Sequence, residues 1–100
     1  MKLHELAHAR TGDKGDISNI AVILYRAEDW NRVSAALTPE SVATHLGLPE
    51  KQKIDRYALP QLAALNFVIH GALAGGVTRS LAIDAHGKCI ASVLLEMELD

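Results

Sequence analysis

The chain has 100 residues, 49% of them hydrophobic and 4% aromatic, and carries a formal net charge of −2 at neutral pH. That length suits one domain, spanning 1–100, whose core closes without disulfides or metal. Interspersed charges and scarce aromatics exclude the basic footprint and stacking platform of a nucleic-acid binder, and no apolar run is long enough to span a bilayer.

Met1 to Glu5 carries no apolar block of the kind a secretory signal needs, and the lone Cys89 has no partner for an internal disulfide. The expected compartment is the cytoplasm, and no cofactor is expected. Leu3 to Ala9 alternates weakly and reads as a strand. Asn19 to Tyr25 is nearly continuous in Ile, Ala, Val and Leu, the pattern of a strand buried on both faces. The stretch between them, Arg10 to Asn19, then forms the long tip of a hairpin. Glu28 to Leu37 has helical spacing through Trp30, Val33 and Leu37. A second helix starts with Thr38 as N-cap and Pro39 at the first helical position, and Gly47 with Pro49 ends it.

Lys51 to Leu59 is the weakest stretch. Ile54, Arg56 and Ala58 alternate there with Asp55, Tyr57 and Leu59, which fits a short strand. Pro60 is expected to open the clearest helix, with Leu62, Leu65, Ile69 and Leu73 at helical spacing and Gly75-Gly76 as its stop. Leu81 to Asp84 reads as a strand, Ala85 to Lys88 as a turn, and Cys89 to Leu99 as a long final strand. Ile90, Val93, Leu94 and Met97 also fit a 3.6-residue period, but Gly87 and the β-branched residues favour a hairpin strand. The order implies a two-layer α+β sandwich, an antiparallel sheet with helices on one face. Two strands apolar on both sides would leave the other face uncovered in a monomer, so a homo-oligomer is expected, most simply a dimer.

The densest chemistry lies in Arg10-Thr11-Gly12-Asp13-Lys14-Gly15-Asp16-Ile17-Ser18-Asn19. A plain turn needs a glycine or an Asn/Asp, not an arginine, a lysine and two aspartates together. Loops on a rigid scaffold concentrate binding and catalytic groups. A guanidinium with an ammonium favours a carboxylate or phosphate, and Asp13, Lys14 and Asp16 are the candidate catalytic groups. The competing reading is a solvated hairpin whose charges neutralise one another. The stretch lacks the spacing of a nucleotide phosphate loop and leads into a strand instead of a helix N-terminus.

His4-Glu5-Leu6-Ala7-His8 matches the His-Glu-x-x-His zinc signature in letters. That chemistry requires a helix, whereas the alternation here favours a strand, so no metal site is assigned. Asn66 and His70 sit four apart on the expected Pro60 helix, where hydrogen-bonded burial explains them as well as a ligand does. Arg79, beyond Gly75-Gly76, is available for an anion. Cys89 lies in an apolar run and reads as an inert buried thiol.

Ala9-Arg10-Thr11-Gly12-Asp13-Lys14-Gly15-Asp16, followed by Asn19-Ile20, resembles the Ala-Arg-Ser/Thr-Gly-Asp-Lys-Gly motif of the acyclic terpene utilisation (AtuA) family. Arg56-Tyr57 with Pro60, Leu65-Asn66-Phe67, Gly75-Gly76, Arg79-Ser80-Leu81, Asp84 and Gly87-Lys88 resemble the rest of that family's C-terminal domain. The resemblance covers essentially the whole chain and implies a ferredoxin-like fold, here as a separate small protein. It also implies a setting: bacterial catabolism of acyclic terpenoids and related branched acids, handled as coenzyme A thioesters. No catalytic mechanism comes with it. The matching polar positions are Arg10, Asp13, Lys14, Asp16, Asn19, Arg56, Tyr57, Asn66 and Arg79, with Gly12 and Gly15 between them. The expected role is an accessory or small subunit of a catabolic system, associating with the larger AtuA-family protein through Arg10–Asn19. The alternatives are an independent acyl-thioester enzyme, with Asp13 or Asp16 as base, and a structural oligomerisation module.

Overall fold

A computed structural model describes residues 1–14, 17–48, 52–70 and 88–99, with backbone alone for Asp13, Lys14, Lys88 and Cys89. Gly15, Asp16, Gly75-Gly76, Arg79 and the expected strand and turn over 81–87 lie outside the described residues. Leu3–Glu5 forms a 3-10 turn, not the start of a strand. Strand β1 runs Ala7–Lys14 and β2 runs Ile17–Leu24. They pair antiparallel from Ala7↔Leu24 through to Lys14↔Ile17. Most of the expected long tip is therefore strand, and only residues 15 and 16 separate the paired positions.

β2 is not buried on both faces. Ser18, Ile20, Val22 and Leu24 are buried while Ile17, Asn19, Ala21 and Ile23 are half-buried, the alternation of a strand with one core face. Helix α1 spans Trp30–Ala36 after a 3-10 turn, and α2 spans Pro39–Leu46. The Thr38 hydroxyl accepts from Ser41 N at 3.0 Å, and the Ser41 hydroxyl accepts from Thr38 N at 3.0 Å, closing the cap around Pro39. Gly47, at φ 72°, ends α2 in the left-handed conformation that favours glycine.

The short strand is present as β3, Ile54–Leu59. The expected Pro60 helix is not. Pro60–Leu62 makes one 3-10 turn, and Ala64–Ile69 is strand β4. Leu65, Phe67 and Ile69 are fully buried, so the period that decides is two, and the Leu62, Leu65, Ile69 spacing merely coincides with a helix. The final segment reverses in the other direction: Lys88–Leu95 is a helix, α3, with Ile90, Ala91 and Leu94 buried. Its 3.6-residue period wins because these residues meet the sheet along one stripe.

The four strands form one antiparallel sheet in the order β1-β2-β4-β3, two hairpins laid side by side. Ile20, Val22, Leu65, Phe67 and Ile69 on one face bury against Val33, Leu37, Val42, Leu46, Ile90 and Leu94 of the helical layer. This is the two-layer α+β, ferredoxin-like sandwich, although the described elements run ββααββα along the chain. The premise of double-sided apolar strands for a homo-oligomer is corrected: β2 alternates, and most of Cys89–Leu99 is helical. Leu3 N donates to Met97 O at 2.9 Å and Leu99 N to Met1 O at 2.7 Å, holding the start of the chain against the exit of α3.

Candidate functional site

Alternation divides the sequence-predicted residues between the two sheet faces. On β1, Ala7, Ala9 and Thr11 face the helices, while His8, Arg10 and Gly12 face away with Ile17, Asn19, Ala21 and Ile23 of β2. The register continues this row by row. Arg10 pairs with Ala21, Ala21 with Asn66, and Asn66 with Tyr57, one row across all four strands. The next row is Gly12, Asn19, Val68 and Asp55. Residues 10, 19, 57 and 66, more than 40 positions apart in the chain at the extremes, thus share the face away from the helices.

The chemistry of this face follows from what it lacks as well as what it holds. Arg10 and Tyr57 are exposed, Asn19 and Asn66 half-buried, and none of the four side chains has a hydrogen-bond partner among the described residues. Adjacent strands lie about 4.8 Å apart, so Arg10 and Asn66 stand about 10 Å apart at their backbones with only Ala21 between. A methyl added at Gly12 would meet nothing within 4 Å. The result is a shallow surface with a low floor and donors at its rim: one guanidinium, two amides and a phenol. Such a set recognises carboxylate, carbonyl or amide oxygens.

Arg56, expected at the site, is elsewhere. Its strand position pairs with Phe67 on the helix face, and its Nη1 donates to Ser34 O and Leu37 O, both at 2.9 Å. These carbonyls end α1 and lack intrahelical partners, so the guanidinium closes a helix terminus. Asn66 and His70 are also not neighbours on a helix; they lie at the middle and end of β4. Arg79, Gly15 and Asp16 lie outside the described residues, as do the side chains of Asp13 and Lys14.

Two features escaped the sequence reading. Asp55 Oδ2 lies 2.8 Å from His70 Nε2, both side chains about one-third exposed at the end of the β3–β4 hairpin. His70 N also donates to Lys53 O at 3.0 Å, and Gln52 Nε2 donates to His70 O. Reading 64–69 as a strand would have brought these two together. The second is a cleft of about 420 Å³ beside β1, the edge strand among the described residues, lined by Ala9, Arg10, Thr11, Ala91, Ser92 and Leu95. The Thr11 hydroxyl is buried there with no hydrogen-bond partner among the described residues.

The zinc signature is split by the fold: His4 and Glu5 sit in the 3-10 turn and His8 in β1. Glu5 Oε2 instead accepts from Lys2 N at 2.8 Å. Among the described residues no three His, Cys, Asp or Glu side chains cluster as metal ligands. No described helix is long and apolar enough to cross a membrane.

No curated protein and no solved structure matches the chain. The family model of the AtuA ferredoxin-like domain matches residues 1–100. With the Arg10–Asn19 motif on its hairpin and the two-layer sheet beneath it, the chain belongs to the AtuA ferredoxin-like domain family.

Proposed function

We propose that the chain is an accessory domain or small subunit of a bacterial catabolic system for acyclic terpenoid or branched acyl-coenzyme A compounds. It acts by docking a larger family protein through the β1–β2 hairpin and the sheet face that continues it. The observation that carries this reading is the row Arg10–Ala21–Asn66–Tyr57, drawn from four strands, whose polar side chains have no partners among the described residues. Catalysis on a small molecule needs a concave, water-excluding site around the reacting atoms. A shallow face rimmed by arginine and tyrosine suits a protein surface better, since these are the residues that dominate interfaces.

The test is capture of tagged chain from the native organism. A larger family protein should co-purify in fixed ratio, and Arg10→Ala with Tyr57→Ala should lower its recovery about tenfold or more at unchanged melting temperature. Recovery of the chain alone overturns the reading. A homodimer through the same face belongs to the proposal, and light scattering that returns a monomer mass at micromolar and higher concentrations removes it.

The His70–Asp55 pair favours one second reading, an enzyme acting on acyl thioesters. His70 would serve as general base with Asp55 orienting the ring, in place of Asp13 or Asp16. Thioester turnover by the isolated chain, lost in His70→Ala, would replace the subunit reading with this one.

A further inference from the structure

We propose that the cleft between β1 and α3 takes an extended acidic peptide segment of a partner protein, added as a strand to the outer edge of β1 with a carboxylate on Arg10. The inference rests on the reading of the chain as a docking subunit and names the chemistry of the segment that docks.

The lining of the cleft carries the argument. Ala9, Arg10 and Thr11 are consecutive in a strand, so their side chains alternate between faces. A cavity touching all three runs along the β1 backbone beside α3. β1 pairs with β2 along its whole eight-residue length and stands first in the sheet order. On its outer side, alternate residues present both N–H and C=O groups to whatever lies there. Natural sheets guard such an edge with proline, a bulge, a charge or a covering element. Here the register has no bulge and the strand no proline; its guards are the charges Arg10, Asp13 and Lys14, and α3 opposes it with the small residues Ala91 and Ser92, which leave room between. Edge strand beside helix, with room between, is the geometry by which peptides add a strand and seat alternate side chains.

Two unsatisfied groups give the segment its chemistry. The Thr11 hydroxyl is buried without a partner among the described residues, which costs free energy until a donor or acceptor arrives. The Arg10 guanidinium is exposed, and among the described residues no carboxylate lies on it. A second copy of β1 does not supply one. In an antiparallel two-fold pairing centred on residue 9, 10, 11 or 12, Arg10 comes opposite His8, Arg10, Gly12 or Lys14 of the other copy. None is acidic, so in the registers that pair most of β1 the group facing Arg10 comes from a different sequence, with Asp or Glu at that position.

The experiment selects nine-residue peptides from an unbiased displayed library against the isolated chain. Enriched peptides should be rich in β-branched residues and carry an acidic residue at one fixed position. Their amide chemical-shift changes should be confined to 7–14 and 88–95. Arg10→Glu should lower affinity about tenfold or more and, in a repeated selection, turn the fixed position basic. Ser92→Trp, at an exposed helix position, should block binding by filling the cleft without unfolding the chain. No enrichment, enrichment without an acidic position, or shifts on the β3 side overturn the inference. So does concentration-dependent protection of β1 amides without peptide, which assigns the edge to a second copy. Peptide binding without co-purification of a larger family protein sinks the proposed function alone, and co-purification without peptide binding sinks this inference alone.

Discussion

The two edges of the sheet are treated in opposite ways. Along β3, Arg56 closes the end of α1, Asp55 meets His70 and His70 N meets Lys53 O, with Tyr57 alone of the three β3 polar side chains left exposed. Along β1, the described residues leave a buried hydroxyl, an arginine and a row of backbone groups without partners beside a cleft. Residue type did not decide this, because both edges carry an arginine at a position that matches the family. What decides is the face: Arg56 falls on the helix side, within reach of orphan carbonyls, and Arg10 on the other, where the described residues offer it nothing. One arginine is held inside the fold, and the other is the one our proposal assigns to recognition.

The largest effect that sharpens this contrast is on stability. Arg56→Ala removes two charge-assisted hydrogen bonds and leaves the Ser34 and Leu37 carbonyls to water or to nothing. A loss of about 2–4 kcal/mol is expected, or about 10–20 °C in melting temperature for a domain of this size. Arg10→Ala should stay within about 3 °C of wild type, as surface substitutions do. Equal losses measured by thermal denaturation would erase the distinction between the two edges.

A smaller effect, of opposite sign, is expected at Thr11. Thr11→Val keeps the shape of the side chain and deletes a buried hydroxyl that has no partner among the described residues. The isolated chain should be unchanged or stabilised by up to about 1 kcal/mol, because an orphaned group no longer has to be desolvated. Destabilisation beyond about 1 kcal/mol in urea unfolding would mean that the hydroxyl is satisfied and the β1 edge already closed.

How legible these edges were depended on local signals. The α2 cap was plain in Thr38-Pro39 and Gly47, each of which acts through its own backbone geometry. The β3–β4 turn was invisible because it carries no glycine or asparagine; Ala63 takes the left-handed conformation at φ 50°. With that turn hidden, Leu62, Leu65 and Ile69 read as a helix, and Asn66 was placed beside His70 instead of in the row with Arg10 and Tyr57. The Lys88–Leu95 helix was read within a strand over Cys89–Leu99 for a related reason, since a short apolar run satisfies both periods until a partner surface selects one. The motif residues were legible as polar positions in one stretch. Their division between the two faces was not, because it depends on strand register, which only long-range pairing sets.

The smallest expected effect lies where the chain's start is held beside α3. Glu98 bridges there to Lys2, accepts a hydrogen bond from the Met1 amino group, and lies 3.7 Å from Lys2 Nζ. Its carboxyl is held below the ordinary 4.5, first by that hydrogen bond and then by the charge of the same amino group and of Lys2. A carboxyl with a lowered folded-state pKa contributes stability that is present above its unfolded value and lost as pH falls through the folded one. Wild type and Glu98→Gln should therefore differ at pH 7 and converge in acid below the ordinary carboxylate range. The group is fully exposed, so the difference at pH 7 should be under about 2 °C and should shrink further in salt. A gap that widened on acidification would place the governing titration at another group. It would also mean that this end of the β1 side is held by its backbone bonds, Leu3 to Met97 and Leu99 to Met1, with no electrostatic share.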